Sequence, residues 1–119
     1  MLSIELKEKF NQFDEFWTPK ILGEFNGQLI KIAKLKGEFV WHNHENEDEL
    51  FFIVKGQLLM KYRDQQILLK EGELHIVPKG VEHRPYAPKE AKIMIIEPRG
   101  VVNTGNKKDM LTAPNDAWI

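Results

Sequence analysis

Two short stretches of the chain carry side chains whose types and spacing suit metal chemistry. The first spans residues 37–56, GEFVWHNHENEDELFFIVKG. Its His42 and His44 are two apart, so on a strand both imidazoles leave the same face. After the four-residue loop Glu45-Asn46-Glu47-Asp48, Glu49 opens the next strand, which can return antiparallel beside the first. The second stretch, residues 72–87, reads GELHIVPKGVEHRPYA. There a strand ends at Pro78, a Pro-x-Gly turn reverses the chain, and His83 follows three residues after Gly80. Three neutral imidazoles and one carboxylate make an N3O ligand set for a divalent first-row transition metal, with Fe, Mn, Ni or Zn all acceptable to it. A metal that takes five or six ligands keeps one or two positions for water or substrate, the mark of a catalytic rather than a closed structural site.

Neighbouring polar residues have plainer readings. His75 lies in the 73–77 strand with no partner in either stretch, so it reads as a structural or surface histidine. The acidic loop reads as a solvated connection between ligand strands, with Asp48 as a candidate acceptor for a ligating imidazole. Arg84 and Tyr86 follow His83 closely; they are candidates for contact with an anionic or hydroxylated substrate, although a solvent-facing turn explains them as well.

The elements that must position these residues are mostly short strands. Apolar runs over 21–25, 28–35, 39–44, 50–54, 57–63, 66–70, 73–77 and 91–97 are separated by Gly, Pro or Asp punctuation, a pattern that predicts a sandwich or small barrel. Asn26-Gly27 is the strongest local signal, because a type I′ hairpin turn needs two residues at positive φ. Phe51, Met60, Tyr62, Met94 and Ile96 are the expected barrel lining. Ahead of the strands, Leu2, Leu6, Phe10, Phe13 and Trp17 recur at steps of three and four, which predicts an amphipathic helix over 2–17 stopped by Thr18-Pro19. Its aromatics suit packing on the domain, covering a barrel mouth, or a dimer interface. The tail after Gly100 is polar and turn-rich, and is expected to lie over the surface.

The 119 residues fit one domain, divided as an N-terminal helix and arm (1–25), a barrel (26–100) and a tail (101–119). A chain of this length can bury roughly two thirds of its unfolded surface without staples. With no cysteine, disulfides, thiolate metal sites and cysteine nucleophiles are excluded. Seventeen Lys and Arg against 18 Asp and Glu argue against nucleic acid or a membrane surface as the main partner. No apolar run approaches the ~20 residues that span a bilayer, and a cytoplasmic protein is expected.

The two histidine stretches resemble the two motifs of the cupin superfamily. His42-x-His44, Glu49 after four residues and Gly56 after six more match the first, with Gly37 one residue closer to His42 than usual. Gly72, Pro78, Gly80 and His83 match the second, and Ala87 stands where the family often has Asn. The resemblance covers about residues 30–98 and is to the small single-domain bacterial cupins (monocupins), many of them loosely labelled mannose-6-phosphate isomerase-like. It implies an all-β, double-stranded β-helix (jelly-roll) barrel with His42, His44, Glu49 and His83 around one divalent transition metal near one mouth. It also implies a metal-dependent dioxygenase or sugar isomerase acting on a small oxygenated metabolite, commonly as a homodimer. The rival reading is a non-catalytic cupin that binds or senses a sugar or small acid.

Overall fold

Alternating apolar positions and the turns between them give seven strands in a computed structural model that describes residues 2–119. One short helix, α1 (Leu6–Phe10), precedes β1 (Lys20–Phe25), β2 (Gln28–Glu38), β3 (Glu49–Lys55), β4 (Gln57–Tyr62), β5 (Gln66–Lys70), β6 (Leu74–Val77) and β7 (His83–Pro98). All pairings between them are antiparallel, in the order β1-β2-β7-β3-β6, with β4 joining β5 to the first half of β7. The 16-residue β7 is the strand that makes the barrel. Its start, His83–Tyr86, pairs with β4 and its later part with β3, while β2 pairs with it on both sides of the bend. Between them Pro88, Lys89 and Glu90 fall out of register where β2 passes from Leu35 to Gly37, and the chain turns the corner from one wall to the other. The β1–β2 hairpin turns on Asn26 and Gly27, both at positive φ, as expected of that pair.

The interior is built by every second residue. Lys31, Ala33 and Leu35 of β2, Phe51 and Ile53 of β3, Leu58 and Met60 of β4, and Ile93 and Ile95 of β7 are buried. A second cluster of Phe10, Phe13 and Ile32 covers the outer face of the same wall, with Met94 packed against it. That cover explains why β2 and β7 are apolar on both faces.

Two expectations about the ends of the chain need correction. The helix covers only Leu6–Phe10, not 2–17. Five residues are too few to stand alone, and the packing of Phe10 keeps them in place. Beyond Asn11 the chain extends, which lets the aromatics part: Phe13 packs on the outside while Trp17, at φ 58, reaches the interior and stacks on Phe39 with ring centroids 4.5 Å apart. One straight helix could not serve both sides of a sheet. The tail is likewise more than surface. Val101 and Thr104 are buried, Asn103 donates to the carbonyls of Trp17 and Leu111 at 2.9 and 2.8 Å, and Ile21 and Ile119 exchange backbone bonds with the last turn and β1. The tail thereby covers an interior cavity and the exposed edge of β1.

Candidate metal centre

His42 and His44 stand just before β3 rather than on a strand, and a pair of backbone bonds fixes them there. The His42 amide donates to the His83 carbonyl at 3.1 Å and the His83 amide returns a bond of 2.9 Å, tying the two distant stretches together. The Gly80 amide donates to the His44 carbonyl at 2.8 Å, so the Pro-x-Gly turn seats the second stretch on the first. Glu49 opens β3 and points inward beside them. The four side chains are buried and offer donor atoms that all lie within 4.8 Å of one another. They could hold a metal ion.

The surroundings favour that use over ordinary hydrogen bonding. His42 and His83 each donate Nδ1–H to a carbonyl two residues back, Val40 and Val81, both at 2.9 Å. Those bonds commit Nδ1 as the donor and leave Nε2 with a free lone pair facing the cluster, the usual preparation of a ligating imidazole. The His44 and His83 Nε2 atoms approach Glu49 Oε1 at 3.4 and 3.5 Å, contacts too long for charge-assisted hydrogen bonds. All three atoms lack a hydrogen-bond partner despite complete burial. Unpartnered buried groups cost about 1–3 kcal/mol each, and a cation held between the three would satisfy them together. Burial alone would push the Glu49 carboxyl up, but His44 and His83 outweigh it and hold it below the ordinary carboxylate range. Burial, with the His83 imidazole second, pushes His42 down to about 4. The shift of His42 favours the form a ligand needs, a neutral imidazole.

A narrow cavity meets the cluster at His42 and Glu49. Its walls are largely apolar, from Trp17, Phe39, Phe51, Ile93 and Ile95, and tail residues Asn103, Pro114 and Asn115 close one side.

The sequence model described as Cupin domain matches residues 29–97, more than half of the chain. The chain belongs to the cupin family. A cupin-2 domain containing protein from Shewanella frigidimarina NCIMB 400 is 48% identical to this cupin, with a TM-score of 0.80 over 81% of this chain and 94% of the other. Protein NMB1881 from Neisseria meningitidis is 32% identical, with a TM-score of 0.74 over 82% and 99% of the two chains. YdbB of Bacillus subtilis (strain 168) is 35% identical over 81 residues, 67% of this chain, which spans 66% of that protein's length.

The other residues weighed from sequence fall outside the cluster of this cupin. Asp48 does not orient a ligating histidine; its carboxylate accepts the Lys79 amide at 2.9 Å and caps the Pro78-Lys79-Gly80 turn, because backbone carbonyls already hold His42 and His83. His75 bonds Tyr62 Oη through Nε2 at 2.6 Å. Burial, then the charge of Glu49, pushes that phenol up to about 12. Arg84 donates to the Phe39 carbonyl at 2.8 Å and pairs with Glu38, and Tyr86 lies under the Lys61 ammonium. Of the expected lining, Phe51 reaches the cavity, whereas Met94 packs against the outer cluster and the interior row of β7 is Ile93, Ile95 and Glu97. Sequence reasoning missed Lys31 and Glu97, which both line the cavity. Their signal is a charged residue at an inward position of an alternating strand, but with Ile30, Ile32, Met94 and Ile96 filling the other face the inward parity cannot be read.

Removing the metal should expose a pH dependence specific to His42. Its folded pKa of about 4 lies below the ordinary 6.5, so the unfolded chain takes up a proton that the folded chain refuses. Stability from this group is complete above about pH 6.5 and is lost as pH falls towards 4, by about 3 kcal/mol in all. Glu97 acts in the opposite direction, since burial and Glu49 raise it well above the usual carboxylate range. Comparison with a variant cancels that term. In chelator-treated protein, the stability of His42→Gln should improve relative to the wild type by about 2–3 kcal/mol between pH 7.5 and 4.5, measured by denaturant midpoints. A constant difference would refute the assignment.

Proposed function

We propose that His42, His44, Glu49 and His83 hold one divalent transition metal ion and that the protein is a metal-dependent enzyme of dioxygenase type for a small oxygenated metabolite. The observation that carries this reading is the convergence of unpartnered, fully buried imidazole and carboxylate atoms in a cluster whose His42 and Glu49 line a cavity. Iron or manganese is the preferred ion; bound there, it supplies Lewis acidity towards an oxygen ligand and access to dioxygen. The chain's own residues do the rest. Val40 and Val81 carbonyls aim two imidazoles, Glu49 lowers the charge of the centre, and the aromatic and aliphatic walls keep bulk water from it.

A phosphorylated-sugar isomerase fits less well. Phosphate recognition would use free arginines at the mouth, but Arg63 is engaged by Glu82, Arg84 by Glu38 and Arg99 by Glu24, and none of the three lines the cavity. The homodimer stays part of the reading through a different surface, because Phe10, Phe13 and Trp17 are used within the chain. Edge strand β6 presents exposed Leu74 and Ile76, which suits pairing with a second copy, and sedimentation equilibrium reads the mass directly.

The test is dioxygen consumption and product formation over a panel of small hydroxy acids and phenols, with iron- or manganese-loaded wild type beside His42→Ala. Metal-dependent turnover that drops more than about a hundredfold in the variant is the expected result. Tight binding with no turnover would overturn the enzyme in favour of a binding cupin.

A further inference from the structure

The floor of the cavity carries a row of charge that the metal cluster does not use. In the β2–β7–β3 wall, Lys31 is paired with Ile95, which is paired with Phe51, and Leu29 is paired with Glu97 one step along the ladder. Glu49 opens β3 beside the end of β7 that carries Glu97, as Leu50 pairs with Ile96. Inward positions on adjacent antiparallel strands lie close enough for their side chains to touch. Glu97 therefore stands between Lys31 and the candidate ligand Glu49, and all three face the same cavity as His42.

Lys31 is an unusual residue to find there. It is 2% exposed, yet its ammonium group is poorly served: the Val101 carbonyl lies at 3.4 Å and Glu97 Oε2 at 3.6 Å. An ammonium has three donors and both contacts are long. Glu97 Oε2 is itself buried without a hydrogen-bond partner. The side chains are near enough to share charge but not to satisfy one another, which leaves donor capacity directed into the cavity.

Charge balance says what would use it. A divalent ion brings two positive charges, of which Glu49 cancels one. Glu97 cancels the charge of Lys31 at most. His42, the remaining titratable group of the lining, is neutral as a ligand. The loaded cavity thus holds at least one uncompensated positive charge among apolar walls, and a buried unpaired charge is costly. A negative charge on the ligand offsets it.

We propose that Lys31, held in place by Glu97, is the anchor for the carboxylate of a small monoanionic ligand whose apolar body lies along Phe51 and Ile95. The substrate class is accordingly a compact monocarboxylate with a second oxygen for the metal, a hydroxy or keto acid. This rests on the metal reading above and narrows it. Lys31 is then a specificity residue, and its removal should change which molecules bind without changing how the ion is held.

The experiment measures binding of acetate, isobutyrate and benzoate, each beside its neutral amide, to metal-loaded protein by calorimetry, with metal content determined on the same samples. The wild type should prefer at least one acid over its amide by about tenfold or more. Lys31→Met should retain the metal and lose about ten- to a hundredfold in affinity for that acid, with little change for the amide, as expected for a charge-assisted contact. Glu97→Gln, nearly isosteric, should take up metal and bind the acid more tightly because it frees the ammonium; this variant decides the matter if Lys31→Met does not fold. Equal binding of acid and amide by the wild type, or an unchanged preference in a folded Lys31→Met, overturns the carboxylate anchor and leaves the metal centre standing. Failure of the wild type to take up metal overturns both.

Discussion

His83→Ala should abolish stoichiometric metal uptake and with it the stabilisation that metal gives the wild type. His83 is fully buried, and it is the one member of the cluster supplied by the second stretch. Without it, His42, His44 and Glu49 still converge, but one side of the ligand set is open. Loss of a group that merely orients a ligand costs about 10–100-fold in affinity, so loss of the ligand itself should cost at least 100-fold. The consequence for stability follows by mass action. Metal at a hundred times the wild-type Kd stabilises by about 2.7 kcal/mol; the same concentration, now near the Kd of the variant, gives only about 0.4 kcal/mol. Truncating a fully buried ring also leaves a cavity, which lowers the stability of the metal-free protein as well. The quantity to measure is therefore the difference between metal-loaded and chelator-treated midpoints, in which the cavity term cancels. Metal content near one per chain and an undiminished difference in His83→Ala would refute the metal centre outright.

Much of that cluster is legible from spacing, because all four residues sit in two short stretches that a few backbone bonds bring together. Two residues of separation place His42 and His44 together, and a proline followed by a glycine returns the chain to them at His83. What the sequence could not give is what surrounds the ion. Lys31 and Glu97 belong to strands that are apolar on both faces, since Phe10 and Phe13 cover the outside of the wall. Once both faces are apolar, a period of two no longer says which face is inside, and the lining is Ile93 and Ile95 where the pattern suggests Met94 and Ile96. The N-terminal helix is shorter than its spacing predicts for a related reason. Spacing of three and four is satisfied equally by a helix and by a bent segment whose aromatics go to opposite sides of one sheet. The fold class itself was secure because it rests on many strands and turns rather than on any single one.

Contact between the tail and the histidine segment leads to the second large effect, at Gly105. A Cβ built there would lie 2.0 Å from the Asn43 carbonyl oxygen and 3.2 Å from His44 Nδ1, with the backbone at φ +56. That oxygen already accepts the Asn106 amide at 3.1 Å, while the Asn43 amide donates to Asn106 Oδ1 at 3.0 Å. These two bonds hold the tail against the residue that separates His42 from His44. Neither backbone can yield in place, so Gly105→Ala must move the tail away by about 1 Å to restore ordinary contact, breaking both bonds and releasing His44 on one side. Gly100→Ala is the matched control: it too has positive φ, +84, but a Cβ there meets nothing within 4 Å. It should cost only the left-handed penalty, about 1–2 kcal/mol, and leave metal affinity as it was. Gly105→Ala should cost roughly 2 kcal/mol more, for the clash and the two lost bonds, and weaken metal binding by about tenfold or more, since a ligand set tolerates displacement poorly. Denaturant midpoints and competitive metal titration of the two variants decide it. If both alanines behave alike in stability and in metal affinity, the tail is only a cover, and the histidine segment keeps its shape without it.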